Sequence, residues 1–197
     1  MLKGIGTGRT KLNNPSSNVV LYQSSFNQPD SASTLPDFLT SQGTYGTLSN
    51  RAYNVTDNNG DMAYKMLSTA NYKLSCTLYG QLNSATTFRI PAVMFNYIDK
   101  DNLMFVRPRN GVLELYKIIL GIATLLASPA VATPDSTELP ISVESRNNNI
   151  TIIYNGITLN YTNIDALFTS AMGIGFRMSK GGSPTVNAYW DNLVVQP

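Results

Sequence analysis

A hydrolase, transferase or metal enzyme must assemble a nucleophile, a proton carrier or a ligand set, and few residues of this chain qualify. Its 197 residues include no histidine. That removes the Ser-His-Asp triad, the Cys-His dyad, His-ligated zinc and imidazole general-base chemistry together. The single cysteine, Cys76, leaves no partner for an intrachain disulfide and no Cys-based zinc site. It falls on the apolar side of an alternating run, Tyr72, Leu74, Cys76, Leu78, with no clustered cation to lower its pKa, and reads as a packing thiol. Glutamate occurs three times, at Glu114, Glu138 and Glu144. Glycoside hydrolysis usually needs two carboxylates across the scissile bond, but no Glu-x-Asp-x-x-Glu run exists, and Glu114 and Glu144 each stand alone as outward strand residues. The chain is expected not to be an enzyme, with a polysaccharide-degrading activity kept as a third reading.

Two other groups could bind. Gly4-Ile5-Gly6-Thr7-Gly8-Arg9-Thr10 has the glycines, cation and hydroxyl of a phosphate cradle but not its spacing, preceding strand or following helix. With Lys3 and Lys11, the residues Gly4, Gly6, Gly8 and Arg9 read instead as a partner-binding arm whose glycines permit close backbone approach. At the other end, Asp191 enters an apolar strand, where a carboxylate needs backbone donors or a cation. Asn27 and Asp30 are its candidate oxygen partners if the first and last strands are neighbours. A structural calcium and a hydrogen-bonded turn both satisfy that requirement, the turn being the simpler; no cofactor is required.

The elements that hold these residues follow from composition and pattern. Charged residues are 13% of the chain, about half the usual share, and Asn, Ser and Thr together supply 21, 18 and 19 residues. This is a composition of strand surfaces and turns. Residues 1–18 lack apolar periodicity and read as an N-terminal arm; residues 19–197 alternate with turn punctuation every 8 to 12 residues or so, as one β-sandwich domain does. Asn71–Gly80 is the clearest strand. Asn110-Gly111 and Asn155-Gly156 predict tight type I′ hairpins. The apolar run 118–132 predicts two buried strands meeting at a turn, residues 163–170 at most two helical turns, and 185–195 a closing strand. The net charge of +2 is too small to suggest nucleic-acid binding. No run reaches the roughly 20 apolar residues of a membrane helix, and the first residues lack the apolar stretch of a secretory signal.

Residues 26–195 resemble a concanavalin-like jelly-roll module of the laminin-G-like type found in bacteriophage virion proteins and in bacterial surface or carbohydrate-associated proteins. The segments that carry the resemblance are Ser25-Phe26-Asn27-Gln28-Pro29-Asp30-Ser31, Gly43-Thr44-Tyr45-Gly46, Asn50-Arg51-Ala52-Tyr53, Met94-Phe95-Asn96-Tyr97, Phe105-Val106-Arg107, Leu115-Tyr116-Lys117, Ile150 to Gly156 and Asp191-Asn192. Tyr45 stands where the family has Trp, and Trp190 where Phe is common. The resemblance implies an all-β sandwich of two antiparallel sheets with an extended arm. It further implies a virion structural protein, capsid decoration or tail-attached, held to phage capsid or tail proteins by the arm and homo-oligomeric in the virion. The alternative is a carbohydrate-binding adhesion module that recognises a host surface glycan.

Overall fold

The computed structural model describes residues 19–27, 30, 31, 35, 37–84 and 86–197. The candidate arm, with Lys3, Gly4, Gly6, Gly8, Arg9 and Lys11, lies outside the described residues.

Alternating sequence becomes strand throughout. The first eight strands are β1 (Tyr22–Ser24), β2 (Leu39–Gln42), β3 (Tyr45–Leu48), β4 (Arg51–Asn54), β5 (Met62–Met66), β6 (Tyr72–Tyr79), β7 (Phe88–Asp99) and β8 (Asn102–Arg109). β9 (Val112–Ile119), β10 (Ile122–Ala127), β11 (Leu139–Arg146), β12 (Asn149–Tyr154), β13 (Ile157–Thr162), β14 (Gly173–Gly181) and β15 (Tyr189–Gln196) complete the set. The helix signal at 163–170 yields one short 3-10 turn, Ala166–Phe168.

The strands form two antiparallel sheets. One runs β13-β12-β11-β6-β15-β4-β3, with β1 also paired to β15; the other runs β10-β9-β8-β7-β14-β5-β2. The first and last strands are neighbours, Tyr22 opposite Val195 and Ser24 opposite Leu193, as the calcium reading requires.

Period two decides what is buried. On β6, Tyr72, Leu74, Cys76 and Leu78 face inward. They meet Val93, Phe95, Met104, Val106, Leu115 and Phe176 from the opposing sheet in one continuous core. Trp190 is fully buried against Tyr45 and Phe176, and its indole N–H donates to the Ala92 carbonyl at 3.0 Å, so the two sheets are tied by a bond as well as by packing.

Both expected Asn-Gly hairpins form. Asn110 and Gly111 have φ of 48° and 82°, Asn155 and Gly156 of 44° and 80°, the left-handed pair that a two-residue turn between twisted strands needs. Leu120 and Gly121 turn the chain the same way between β9 and β10. The expectation of two buried strands in 118–132 is corrected for the second: β10 is the edge of its sheet, and Ile122 is 71% exposed.

Candidate functional site

Strands that bury one face must present the other, and on the seven-stranded sheet the outer face is far from polar. Reading across all seven strands in register, Leu125, Tyr116, Phe105, Met94, Gly175, Tyr64 and Leu39 form one unbroken row. At the usual strand spacing of about 4.8 Å this row is roughly 29 Å long. Met62, Ala92, Met94, Tyr97, Leu103, Phe105 and Ile118 make a second buried apolar cluster on this side, separate from the main core, with Tyr64 and Tyr116 packed on it. The rings pair: Tyr64 and Tyr97 stack at 4.5 Å between centroids, Phe105 and Tyr116 at 5.0 Å and nearly parallel.

One step along the strands lies a polar row. Glu114 opposes Arg107, and Arg177 lies between Ala92 and Met62, with Gln42 beyond Met62. Arg107 Nε donates to Glu114 Oε2 at 2.6 Å, and its guanidinium lies 5.1 Å from the Tyr116 centroid. Arg177 sits 4.7 Å from the Phe105 centroid and donates through Nη1 to Ser179 Oγ at 3.3 Å. Its buried Nε has no hydrogen-bond partner among the described residues. Burial first, and then the charge of Arg107, push the Arg177 pKa down to about 10. The partly exposed rings of Tyr64 and Tyr116, resting on the buried cluster beside a few convergent polar groups, suit a ligand that is apolar on its faces and polar at its edges.

Tyr97 reaches this face only through a β-bulge. Phe95 and Asn96 both point into the sandwich, and Asn96 has φ of 48°. Opposite, Gly173 pairs Tyr97 and Gly175 pairs Met94, so β7 carries one extra residue.

The other sheet has its own aromatic row. Tyr53, Tyr189 and Tyr79 oppose one another on its outer face, with Arg51 within 6 Å of the latter two rings. Arg51 is held by Glu138. A depression of about 360 Å³ on the same face, lined by Lys73, Pro140, Ile153 and Asn155 among others, gathers neither rings nor opposed charges.

The structure distributes the residues singled out from sequence. Glu114 and Glu144 stand on different sheets, Glu144 paired with Arg146 at 2.9 Å, so they cannot flank one bond. Tyr45 and Trp190 are core, not surface platforms. Asn27 and Asp30 are exposed; Asp30 accepts the Ser49 N–H at 2.8 Å and Asp191 the Asn192 N–H at 2.7 Å. Among the described residues no three Asp, Glu or Cys side chains gather as a metal set. Burial, the largest effect, raises the Asp191 pKa.

The backbone as a whole has known counterparts. It superposes on the carbohydrate-binding module CBM66 of Bacillus subtilis with a TM-score of 0.65 at 13% identity, covering 84% of this chain and 98% of that one. The fold is a concanavalin-like jelly roll. A second jelly roll, the CBM2 module of the evolved Dit of Lactobacillus casei BL23 phage J-1, matches with a TM-score of 0.62 at 11% identity over 90% of this chain and 94% of that one. The GH43 protein BlXynB of Bacillus licheniformis matches with 0.60 at 12% identity, but this chain spans only 39% of its length. No family model matches the sequence, and no curated protein matches it.

In the sequence Tyr97, Phe105, Arg107 and Tyr116 stand out only as landmarks of the jelly roll, and Tyr64 and Arg177 do not stand out at all. The available signal was the alternation itself: on β8 and β9, Phe105 and Arg107, Glu114 and Tyr116 occupy the positions between inward residues. What was missing was the strand order that lays those positions side by side.

Proposed function

We propose that this chain is a non-catalytic carbohydrate-binding module that grips a saccharide on the outer face of its seven-stranded sheet. The observation that carries the reading is the seven-strand row with its stacked ring pairs and the parallel row of Arg107, Glu114, Arg177 and Gln42. Sugar rings offer apolar C–H faces and hydroxyl edges. The half-buried rings of Tyr64 and Tyr116, backed by the buried rings of Tyr97 and Phe105, meet the faces, while the guanidinium and carboxylate groups meet the hydroxyls. The similarity to CBM66 supports this reading at the level of fold.

The expectation of a virion structural role is carried forward as the setting of this activity. The CBM2 module of a phage Dit, matched over nearly its whole length, supports it. In that setting the module recognises a host surface glycan and residues 1–18 attach it to capsid or tail proteins. Deleting residues 2–14 would then leave saccharide binding intact and abolish incorporation into particles; full occupancy by the truncated protein would refute the attachment role.

The binding reading is tested by a glycan array followed by NMR of protein carrying ¹³C-methyl methionine. A bound saccharide is expected to shift the methyl signals of Met94, in the row itself, and Met62, beside Arg177, both buried in the cluster under this face. A panel without a single binder, or a binder that leaves both signals unmoved, would overturn the assignment.

A further inference from the structure

We infer that the saccharide taken by this face carries a carboxylate, and that Arg177 is the group that selects it. The inference rests on the carbohydrate-binding reading and adds the ligand class.

The two arginines are not equivalent. Arg107 has its counter-charge in place, since Glu114 Oε2 lies 2.6 Å from its Nε and both side chains are largely buried. Arg177 lies on the same face, over Phe105, with Ser179 Oγ as a neutral contact, no carboxylate in ion-pair reach among the described residues, and a buried Nε without an acceptor. A desolvated cation that lacks an anion costs stability unless something compensates it. The lowered pKa of Arg177, set by burial and by Arg107, expresses the same imbalance.

A planar guanidinium with free donors matches a carboxylate in bidentate geometry, and a neutral hydroxyl offers it far less. The surroundings leave room for such a ligand. Gly60 contributes no side chain where a Cβ would stand 3.5 Å from Arg177 Nη2, and Gln42 Nε2 would lie 4.0 Å from that same Cβ, a second donor bordering the spot. The sugar ring attached to such a carboxylate would fall beside Tyr64, the half-buried ring of the adjoining row, because Tyr64 pairs with Gly175 and Arg177 and Gly175 are successive outward positions on β14. Glu114 then acts as a limit: it neutralises Arg107, so that one anionic group, and not two, is welcome.

The test uses oligosaccharides of alginate, polygalacturonate and hyaluronan together with sialyllactose, each as free acid and as methyl ester, beside neutral glucans and mannans, measured by calorimetry at low and raised salt. At least one free acid is expected to bind. Its methyl ester, and the Arg177→Met variant with the acid, should each bind about tenfold or more weakly, the size of a lost charge-assisted hydrogen bond. Arg177→Lys should restore only part of the affinity, since charge is kept and the fork is lost, and Glu114→Gln should strengthen acid binding. Thermal melts establish that each variant is folded, and Arg177→Met should melt no lower than the parent. Binding of neutral glucans or mannans that Arg177→Met leaves unchanged, with acids bound no better than their esters, would overturn the carboxylate inference and leave the carbohydrate reading standing. Failure to bind any saccharide would overturn both.

Discussion

Tyr72 and Asn96, on opposite sheets, hold each other by two hydrogen bonds in the interior: the Asn96 N–H donates to the Tyr72 hydroxyl at 2.9 Å, and that hydroxyl donates to Asn96 Oδ1 at 3.1 Å. Ser145 Oγ adds a third bond to the same Oδ1, at 3.0 Å. This buried network fixes the bulge that turns Tyr97 away from the main core onto Tyr64, so a core contact positions the buried ring on which the half-exposed Tyr64 stacks. Tyr72→Phe leaves Asn96 with a buried unsatisfied N–H, and a loss of about 1–3 kcal/mol in chemical denaturation is expected. Saccharide affinity should fall with it. Asn96→Gly keeps the backbone freedom and removes the side-chain bonds; affinity equal to the parent's in both variants would show that the network does not position the site.

A glycine on β14 carries a comparable demand. A Cβ at Gly175 would stand 2.1 Å from the Ala63 carbonyl and 2.9 Å from Met94 Cε, so Gly175→Ala must push β5 away from β14. Overpacking of this kind costs typically 1–3 kcal/mol. Because β5 carries Tyr64, the variant is expected to melt lower and to bind more weakly. An unchanged melting temperature would contradict the close approach.

Cys76 is inward on β6, and burial, with a smaller effect from Asp191, raises its thiol pKa well above the ordinary range. The native protein is expected to be inert to Ellman's reagent at pH 8 and to release one equivalent on unfolding. Rapid reaction of the folded protein would place the thiol at the surface.

Asp191 offers a pH-dependent test. Its folded pKa lies above the ordinary carboxylate value, chiefly through burial, so the proton binds more tightly to the folded state. The group therefore favours folding below its unfolded pKa and loses that contribution as pH rises through the folded value. Asp191→Asn should raise the melting temperature at pH 7 and leave it unchanged near pH 3. A fall at pH 7, reproduced in the parent by chelator, would instead favour the structural calcium proposed with Asn27 and Asp30.

Much of the fold was legible because local rules agreed with one another. The alternation of Tyr72 to Leu78 and the two Asn-Gly turns follow from period two and turn chemistry. Leu120 in a left-handed turn and the exposure of β10 were not, since neither residue type nor local pattern marks an edge strand. The candidate site was illegible for a related reason. The Asn110-Gly111 hairpin lays Phe105 opposite Tyr116, but Tyr64 joins them only through the order β8-β7-β14-β5, which depends on long-range pairing. Tyr97 was hidden further by its bulge, where the period-two rule fails.

The most direct measurement is a calorimetric comparison of two double variants against whichever saccharide the array returns. Tyr64→Ala with Tyr116→Ala strips the row on the seven-stranded sheet; Tyr53→Ala with Tyr189→Ala strips the tyrosine row on the other. The first is expected to lower affinity by about tenfold or more, as removal of aromatic anchors does, and the second to leave it unchanged with both proteins still folded. Binding retained by the first pair and lost in the second would contradict the account and move the site to the opposite sheet.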